Sequence, residues 1–403
     1  MISSPLHSAA LPANLSEGYL ACVAGEPSGD MLAASVLAGM KGISAIAHLP
    51  TRGVGGPKMI AEGFDTQWPM ETLAVRGYVE AIRQLPSILS LRRALVKELL
   101  ENRPKAFLGI DAPDFNLGVE KQLKAAGIPT IHFISPSIWA WRGGRIKSIQ
   151  ESVDQMLCIF PFEPEIYHKV GMSATYVGHP LASQIPVVPN TPAAKLKLGV
   201  ATDKALIAIM PGSRQSEVKM IAPNFIKAMA LMYQQFGSDM EFVLPVATPS
   251  LKPQILALLQ PINQDFPDIK IHLLDGQASL ALEACDVVLI ASGTATLEAA
   301  LWKKPMVISY QVPAITAWIM RRQAYLPYVG LPNILAGEFI VPELLQEQGS
   351  PEALAKATLA LLDQRAEVAQ LIERFTEIHH SLNLPTGKLV AEVIAEVIED
   401  SHV

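Results

Sequence analysis

Residues 19–40 read YLACVAGEPSGDMLAASVLAGM. Tyr19 to Ala24 form a short apolar run, Gly25 to Asp30 a turn with two glycines and two acids, and Met31 to Met40 an Ala/Leu-rich helical stretch. Strand, glycine-bearing turn and helix in that order open a βα unit. The pattern recurs. AFLGI (106–110) leads into IDAPDFN (110–116) and then LGVEKQLKAAG, closed by Gly127, while TIHFIS (130–135) and MLCIF (156–160) are further short β-rich runs. Parallel strands with helical crossovers satisfy this alternation most simply.

A second series begins with ALIAIM (205–210) and continues through EFVLPVA, IHLL, DVVLIA and PMVISY before ending in helices after Pro351. Between the two lies GHPLASQIPVVPNTPAAK (178–195), rich in proline and small residues, which suits a connection between bodies. The expected fold class is therefore α/β, with two Rossmann-like, doubly wound parallel sheets. The expected organisation is a flexible leader at 1–18, a first domain at 19–182, a linker at 183–198, a second domain at 199–385 and a terminal helix at 386–403 that could pack back on the first.

The chain has 403 residues, 50% of them hydrophobic and 17% charged. That length exceeds one ordinary core and suits two. The net charge of −6 argues against nucleic acid as a partner, since binding it calls for clustered Lys and Arg. Cys22, Cys158 and Cys285 lie far apart without ligand spacing, so neither a zinc site nor a disulfide scaffold is expected, and they read as buried thiols in a reducing cytoplasm. The first eighteen residues lack the cationic start and apolar stretch of a secretory signal. The uncharged runs near 131–141 and 305–320 fall short of the roughly twenty apolar residues that span a bilayer.

Ligands of open α/β sheets lie beyond the carboxyl ends of the strands, and four loops there can carry chemistry. In MPGSRQSEV (210–218), Gly212 turns the chain, Ser213 can donate hydrogen bonds and Arg214 can grip a diphosphate bidentately. In ASGTATLEAAL (291–301), Ser292, Gly293 and Thr294 begin a helix whose free N–H groups favour phosphate, with Glu298 one turn inside, within reach of ribose hydroxyls. Read alone, that turn is an ordinary N-cap followed by a surface glutamate. AGEPSGD places Glu26, Ser28 and Asp30 at another helix start, better suited to an acceptor sugar than to phosphate. IDAPDFN places Asp111 and Asp114 just past a strand, where acids serve either as caps or in chemistry.

These loops, with PSIWAWR (136–142), FPFE (160–163), VGHPL (177–181) and LPNILAG (331–337), resemble the lipid-A-disaccharide synthase family in sequence and order, over roughly residues 19–375. The resemblance implies the GT-B architecture, with the active site between two lobes, and an inverting glycosyl transfer with no metal or cofactor. It further implies acylated sugar substrates: a 2,3-diacylglucosamine carried on UDP and the 6-hydroxyl of 2,3-diacylglucosamine 1-phosphate, giving a β(1→6) disaccharide 1-phosphate and UDP. Carried over by position, Asp111 is the general base, with Asp114 and Glu26 as supporting acids. Gly212, Ser213, Arg214, Glu217, Ser292, Gly293, Thr294, Thr296, Glu298 and Asn333 hold UDP. Two positions depart from the family pattern: Arg76, where an apolar residue is expected, and Pro27, where Ala or Thr is usual. An unacylated UDP-sugar enzyme of the same architecture, or a binding protein without chemistry, are the competing accounts.

Acylated substrates imply work at the cytoplasmic face of the inner membrane by a peripheral, cytoplasmic protein. Residues 73–100 mix apolar side chains with Arg83, Arg92 and Arg93, which either meet anionic headgroups or form the solvated side of a core-facing helix. AITAWIMRRQAYLPYVG (314–330) suits acyl contact, a subunit interface or core packing, and a homodimer is compatible with the resemblance. Trp139 and Trp141 either wall an acyl groove or pack. His132 and His179, near signature loops, either bond phosphate or serve the fold.

Overall fold

The computed structural model describes residues 18–73, 78–139, 143–313, 316–318 and 326–401, with the side chains of 78–83 and 143 outside that description. Most of the expected leader, Arg76, Trp141 and residues 319–325 also lie outside it. Two compact units are present, one running to Pro180 and completed by Leu382–Val403, the other Leu181–Ser381.

Among the described residues the first unit holds seven parallel strands: β1 (Leu20–Ala24), β2 (Thr51–Gly55), β3 (Asp65–Pro69), β4 (Ala106–Ile110), β5 (Thr130–Phe133), β6 (Gln155–Cys158) and β7 (Ser173–Tyr176), in the order β3-β2-β1-β4-β5-β6-β7. Alternate residues of a strand face opposite sides, so β1 feeds two cores. Leu20, Cys22 and Ala24 join Val36 and Leu37 of the helix Pro27–Met40. Tyr19, Ala21 and Val23 join Leu95, Leu99, Val119 and Leu123 on the other side. Each such fully buried aliphatic side chain contributes roughly 1.5–3 kcal/mol. This two-sided burial explains why the strands read as near-continuous apolar runs.

The terminal helix Thr386–Asp400 belongs to this unit, burying Val390, Ala391, Ile394 and Ile398 in the first core. Its approach to the helix Pro27–Met40 is close enough to demand glycine. A Cβ on Gly387 would stand 2.4 Å from the Ser35 carbonyl oxygen, and one on Gly39 would stand 2.6 Å from that of Gly387.

The second unit's strands are β8 (Ala205–Met210), β9 (Met240–Val246), β10 (Ile271–Asp275), β11 (Val287–Ala291), β12 (Met306–Tyr310) and β13 (Glu343–Leu345), all parallel, in the order β10-β9-β8-β11-β12-β13. Its core packs Ile207, Phe242 and Leu289 against Phe225, Met229 and Leu354. Residues 183–198, read as a linker, are instead built into this unit. Asn190 caps the helix Thr191–Lys197 by accepting from the Ala193 amide at 3.2 Å. Lys195 is buried, its Nζ 2.7 Å from both the Lys204 carbonyl and the Asp286 carboxylate. Two of the four prolines that suggested an irregular connection, Pro180 and Pro192, begin short helices, where a missing N–H costs nothing, while Pro186 and Pro189 lie in the irregular backbone between them. Among the described residues no helix is long and apolar enough to cross a membrane.

Candidate active site

Both sheets reverse their strand order once, between β1 and β4 in the first and between β8 and β11 in the second. Helices leave neighbouring strands to opposite faces at such a point, and the crevice opened there is where these folds hold ligands. The four loops singled out from the sequence follow those four strands.

In the first unit, Ala24 and Ile110 are in register, which brings the loops beyond them together: a Cβ on Gly25 would lie 3.4 Å from that of Ala112. Glu26 stands at the N-cap of the helix Pro27–Met40 with an exposed side chain that caps nothing, and Ser28 is exposed in the first turn. Asp30 turns inward. Its buried carboxylate accepts the amides of Gly56, Lys58 and Met59 at 2.9–3.1 Å, fixing the start of the next helix, so it serves the scaffold.

Asp111 and Ala112 have φ of 52° and 45°, a left-handed pair uncommon for side-chain-bearing residues. The pair is held from three sides. The Asp111 amide donates to the Phe133 carbonyl at 2.9 Å, and Asn116 Nδ2 donates to the carbonyls of Asp111 at 2.7 Å and Ile110 at 3.3 Å. The half-buried Asp111 carboxylate makes no hydrogen bond or ion pair among the described residues. Asp114, by contrast, is 87% exposed and paired with Arg145 at 2.8 Å. Arg92 lies over Gly118 and donates to the Asp114 carbonyl at 3.4 Å, so it braces the helix Pro113–Ala125, while Arg93 is exposed. Leu91, Leu95 and Leu99 bury the opposite side of their helix, as a core-facing amphipathic helix does.

Trp139 packs edge-on against Phe160 and Phe162, and its indole N–H donates to Glu163 at 3.0 Å. Glu163 also accepts the amides of Ile159 and Phe160, and burial pushes its carboxyl up to about 7. His179 lies against the Phe160 ring, and burial pulls its imidazole down to about 4. His132 is fully buried against Glu120, out of reach of phosphate. All three cysteines are buried, with burial pushing their thiols up.

In the second unit, Gly212 turns at φ +116°, followed by Ser213 and then Arg214 at the N-cap of the helix Gln215–Phe236. The Arg214 side chain is 76% exposed and reaches Glu217 at 2.7 Å. Across the sheet, Gly293 caps the helix Thr294–Leu301, with Gly293 and Thr294 exposed. Ser292 Oγ donates to the Val329 carbonyl at 3.0 Å, and Glu298 accepts from Ser279.

Three residues expected to touch UDP are otherwise engaged. Glu217 accepts the amides of Ser213 and Arg214 at 3.2 and 3.3 Å, so its carboxylate shapes the loop from within. Thr296 is buried, donating to the Gly293 carbonyl and accepting from the Leu331 amide. Asn333 is buried with every hydrogen-bonding position used: it donates to the Val341 carbonyl and Glu343, and accepts the amides of Ile340 and Val341. Glu343 is the residue that sequence reasoning missed. Its carboxylate gathers the amides of Val329 and Gly330 with the Asn333 amide group, tying down the segment that meets Ser292. Among the described residues no cluster of three or more His, Cys, Asp or Glu side chains could hold a metal ion.

The profile of the lipid-A-disaccharide synthetase family matches residues 20–394. A lipid-A-disaccharide synthase of Paraburkholderia phytofirmans is 54% identical over 384 residues, covering 94% of this chain and 96% of its own. Among solved structures, MurG of Acinetobacter baumannii matches with a TM-score of 0.56 at 15% identity, covering 94% of this chain and 99% of its own. A UDP-GlcNAc 2-epimerase from Neisseria meningitidis, solved with UDP-GlcNAc bound, matches at 0.58 with 11% identity, covering 95% and 99%. These structural likenesses establish the fold, which is GT-B.

Proposed function

Because this chain belongs to the lipid-A-disaccharide synthetase family, and so is a glycosyltransferase of lipid A biosynthesis, we propose that it condenses UDP-2,3-diacylglucosamine with 2,3-diacylglucosamine 1-phosphate. The product is the β(1→6) disaccharide 1-phosphate, and UDP leaves. Each unit supplies one half of the chemistry. In the first, Asp111 takes the proton of the acceptor 6-hydroxyl as its oxygen attacks the anomeric carbon, while UDP departs from the opposite face and the configuration inverts. Glu26 and Ser28, on the loop that meets the Asp111 loop through Gly25 and Ala112, hold acceptor hydroxyls, and Asp114 acts through its charge.

In the second unit, Arg214, the Gly212–Ser213 turn and the helix start at Ser292, Gly293 and Thr294 neutralise the diphosphate as it leaves. A guanidinium and the backbone amides at the second helix start supply the positive charge that a divalent ion provides elsewhere, so no metal or cofactor is needed. Glu298 bonds the ribose. Thr296, Asn333, Glu217 and Glu343 keep these groups in shape. Acylated substrates place the work at the cytoplasmic face of the inner membrane, with the protein attached peripherally.

The observation that carries this reading is the Asp111 carboxylate, held at the sheet's reversal point on a left-handed turn and unpaired among the described residues. The test is to supply the purified protein, in detergent, with acylated donor and acceptor and measure UDP release and disaccharide. Product from the acylated pair and none from unacylated UDP-GlcNAc is expected. Comparable turnover of the unacylated donor, or no product from folded protein, would reject the substrate assignment.

A further inference from the structure

Beneath the Asp111 turn lies a group of buried polar side chains for which the reaction, as described, has no use. Gly109 of β4 is in register with His132 of β5, and the space that a side chain at 109 would fill is occupied by Glu120 and Asn116. A Cβ there would stand 2.2 Å from Glu120 Oε1 and 3.0 Å from Asn116 Cβ. Asn116 and Glu120 are four apart in the helix Pro113–Ala125 and share its inward face. Glu120 meets His132 Nδ1 at 2.7 Å, both side chains wholly buried. Asn116 spends both of its donors on the carbonyls of Ile110 and Asp111.

The arrangement is expensive for a purely structural purpose. Asn116 Oδ1, Glu120 Oε2 and His132 Nε2 are buried without a hydrogen-bond partner among the described residues. A buried imidazole and carboxylate with atoms left unpaired are less stabilising than apolar side chains of the same volume. Burial itself pushes the Glu120 carboxyl up, with His132 opposing that shift. Directly above stand two successive left-handed residues, a backbone that persists only where its surroundings over-determine it. Unsatisfied polar groups packed under strained backbone at a strand end call for an explanation in the site they support.

We propose that Asn116, Glu120 and His132 are a buried positioning set that locks the Asp111–Ala112 turn and so aims the Asp111 carboxylate at the acceptor hydroxyl. His132 holds Glu120 against β4, and Glu120 fills the space beside Gly109 that would let Asn116 swing away. Asn116 then pins the two carbonyls flanking the Asp111 α-carbon, leaving the carboxylate one direction to point. The inference rests on Asp111 being the base. None of the three touches substrate, and the UDP-holding loops belong to the other unit, so the set acts on turnover alone.

The test uses the full chain with acylated donor and acceptor, reading kcat, donor KM, UDP affinity by calorimetry and the thermal midpoint. Asn116→Asp keeps the shape but has no donor when ionised and only one when protonated, so it cannot hold both carbonyls. A misplacement of about 1 Å costs up to roughly 100-fold, so kcat is expected to fall about 30- to 100-fold. Donor KM and UDP affinity should stay within about twofold. Glu120→Gln still accepts from His132 but removes the charge; its kcat should fall about tenfold with UDP affinity again unchanged, and it decides the question if Asn116→Asp does not fold. Turnover within about threefold of the parent in the folded variants would overturn the proposal, as would a loss of UDP affinity in step with kcat. Asp111→Asn, run alongside, separates the two claims. If it keeps its turnover, the base assignment itself has failed. If it is inactive while the Asn116 and Glu120 variants work normally, only the positioning role has.

Discussion

Asn333→Ala separates a side chain that holds UDP from one that holds the loop beside it. Asn333 makes four hydrogen bonds, at 2.8–2.9 Å, to Val341, Glu343 and the amides of Ile340 and Val341, and none of its surface is exposed. A typical internal hydrogen bond is worth about 1 kcal/mol net, and a buried amide left unsatisfied costs about 1–3 kcal/mol. Truncation strands two such amides. Glu343 keeps its bonds to Val329 and Gly330, so part of the loop survives. The sum is about 4 kcal/mol, which for a unit of this size lowers the thermal midpoint by about 10 °C. UDP affinity should fall only modestly, through loosening of the Val329 carbonyl that receives Ser292. Differential scanning calorimetry with and without UDP reads both effects. An unchanged midpoint together with a tenfold or greater loss of UDP affinity would show that Asn333 is a ligand contact and refute the reasoning.

Gly387→Ala should loosen the terminal helix, because its new methyl would meet the Ser35 backbone, which cannot rotate away; about 3 kcal/mol of destabilisation is expected in urea titrations, against almost none for Gly144→Ala, where nothing lies within 4 Å. Equal effects at the two sites would contradict the close helix approach. Glu163, pushed up to about 7, contributes stability that is complete below its ordinary value of 4.5 and lost as pH rises through 7; His179, pulled down to about 4, contributes stability present above 6.5 and lost as pH falls through 4. The two slopes oppose each other between pH 4.5 and 6.5, so Glu163→Gln should make stability rise with pH by about 1 kcal/mol per unit more steeply than in the parent. Parallel curves for variant and parent would rule that out. Arg214→Ala removes the exposed guanidinium and leaves Glu217 uncompensated, so UDP should bind about tenfold more weakly by titration, and unaltered affinity would remove Arg214 from the phosphate site.

The strand and helix alternation was legible because both sheets bury their strands on two faces, which writes each as an apolar run. The four loops were legible for a topological reason: each follows a strand flanking a reversal point. Less was legible where the information is not local. Residues 183–198 looked like a linker because proline reads as a breaker, yet it starts short helices just as well, and the partner that buries Lys195 is Asp286, far along the chain. Thr296 and Asn333 carry the right motif, but a motif does not distinguish a side chain that touches a ligand from one that shapes the loop beside it. Glu343 sits on a three-residue strand with no pattern of its own, and His132 and Glu120 meet across different elements with no period linking them.

The base assignment is tested most directly by the turnover of Asp111→Asn measured beside its UDP affinity. Loss of a positioned base predicts a fall in kcat of about 100-fold or more. UDP should bind as in the parent, because its groups belong to the other unit. A variant that turns over like the parent, or one that loses UDP and turnover together, would contradict Asp111 as the proton acceptor.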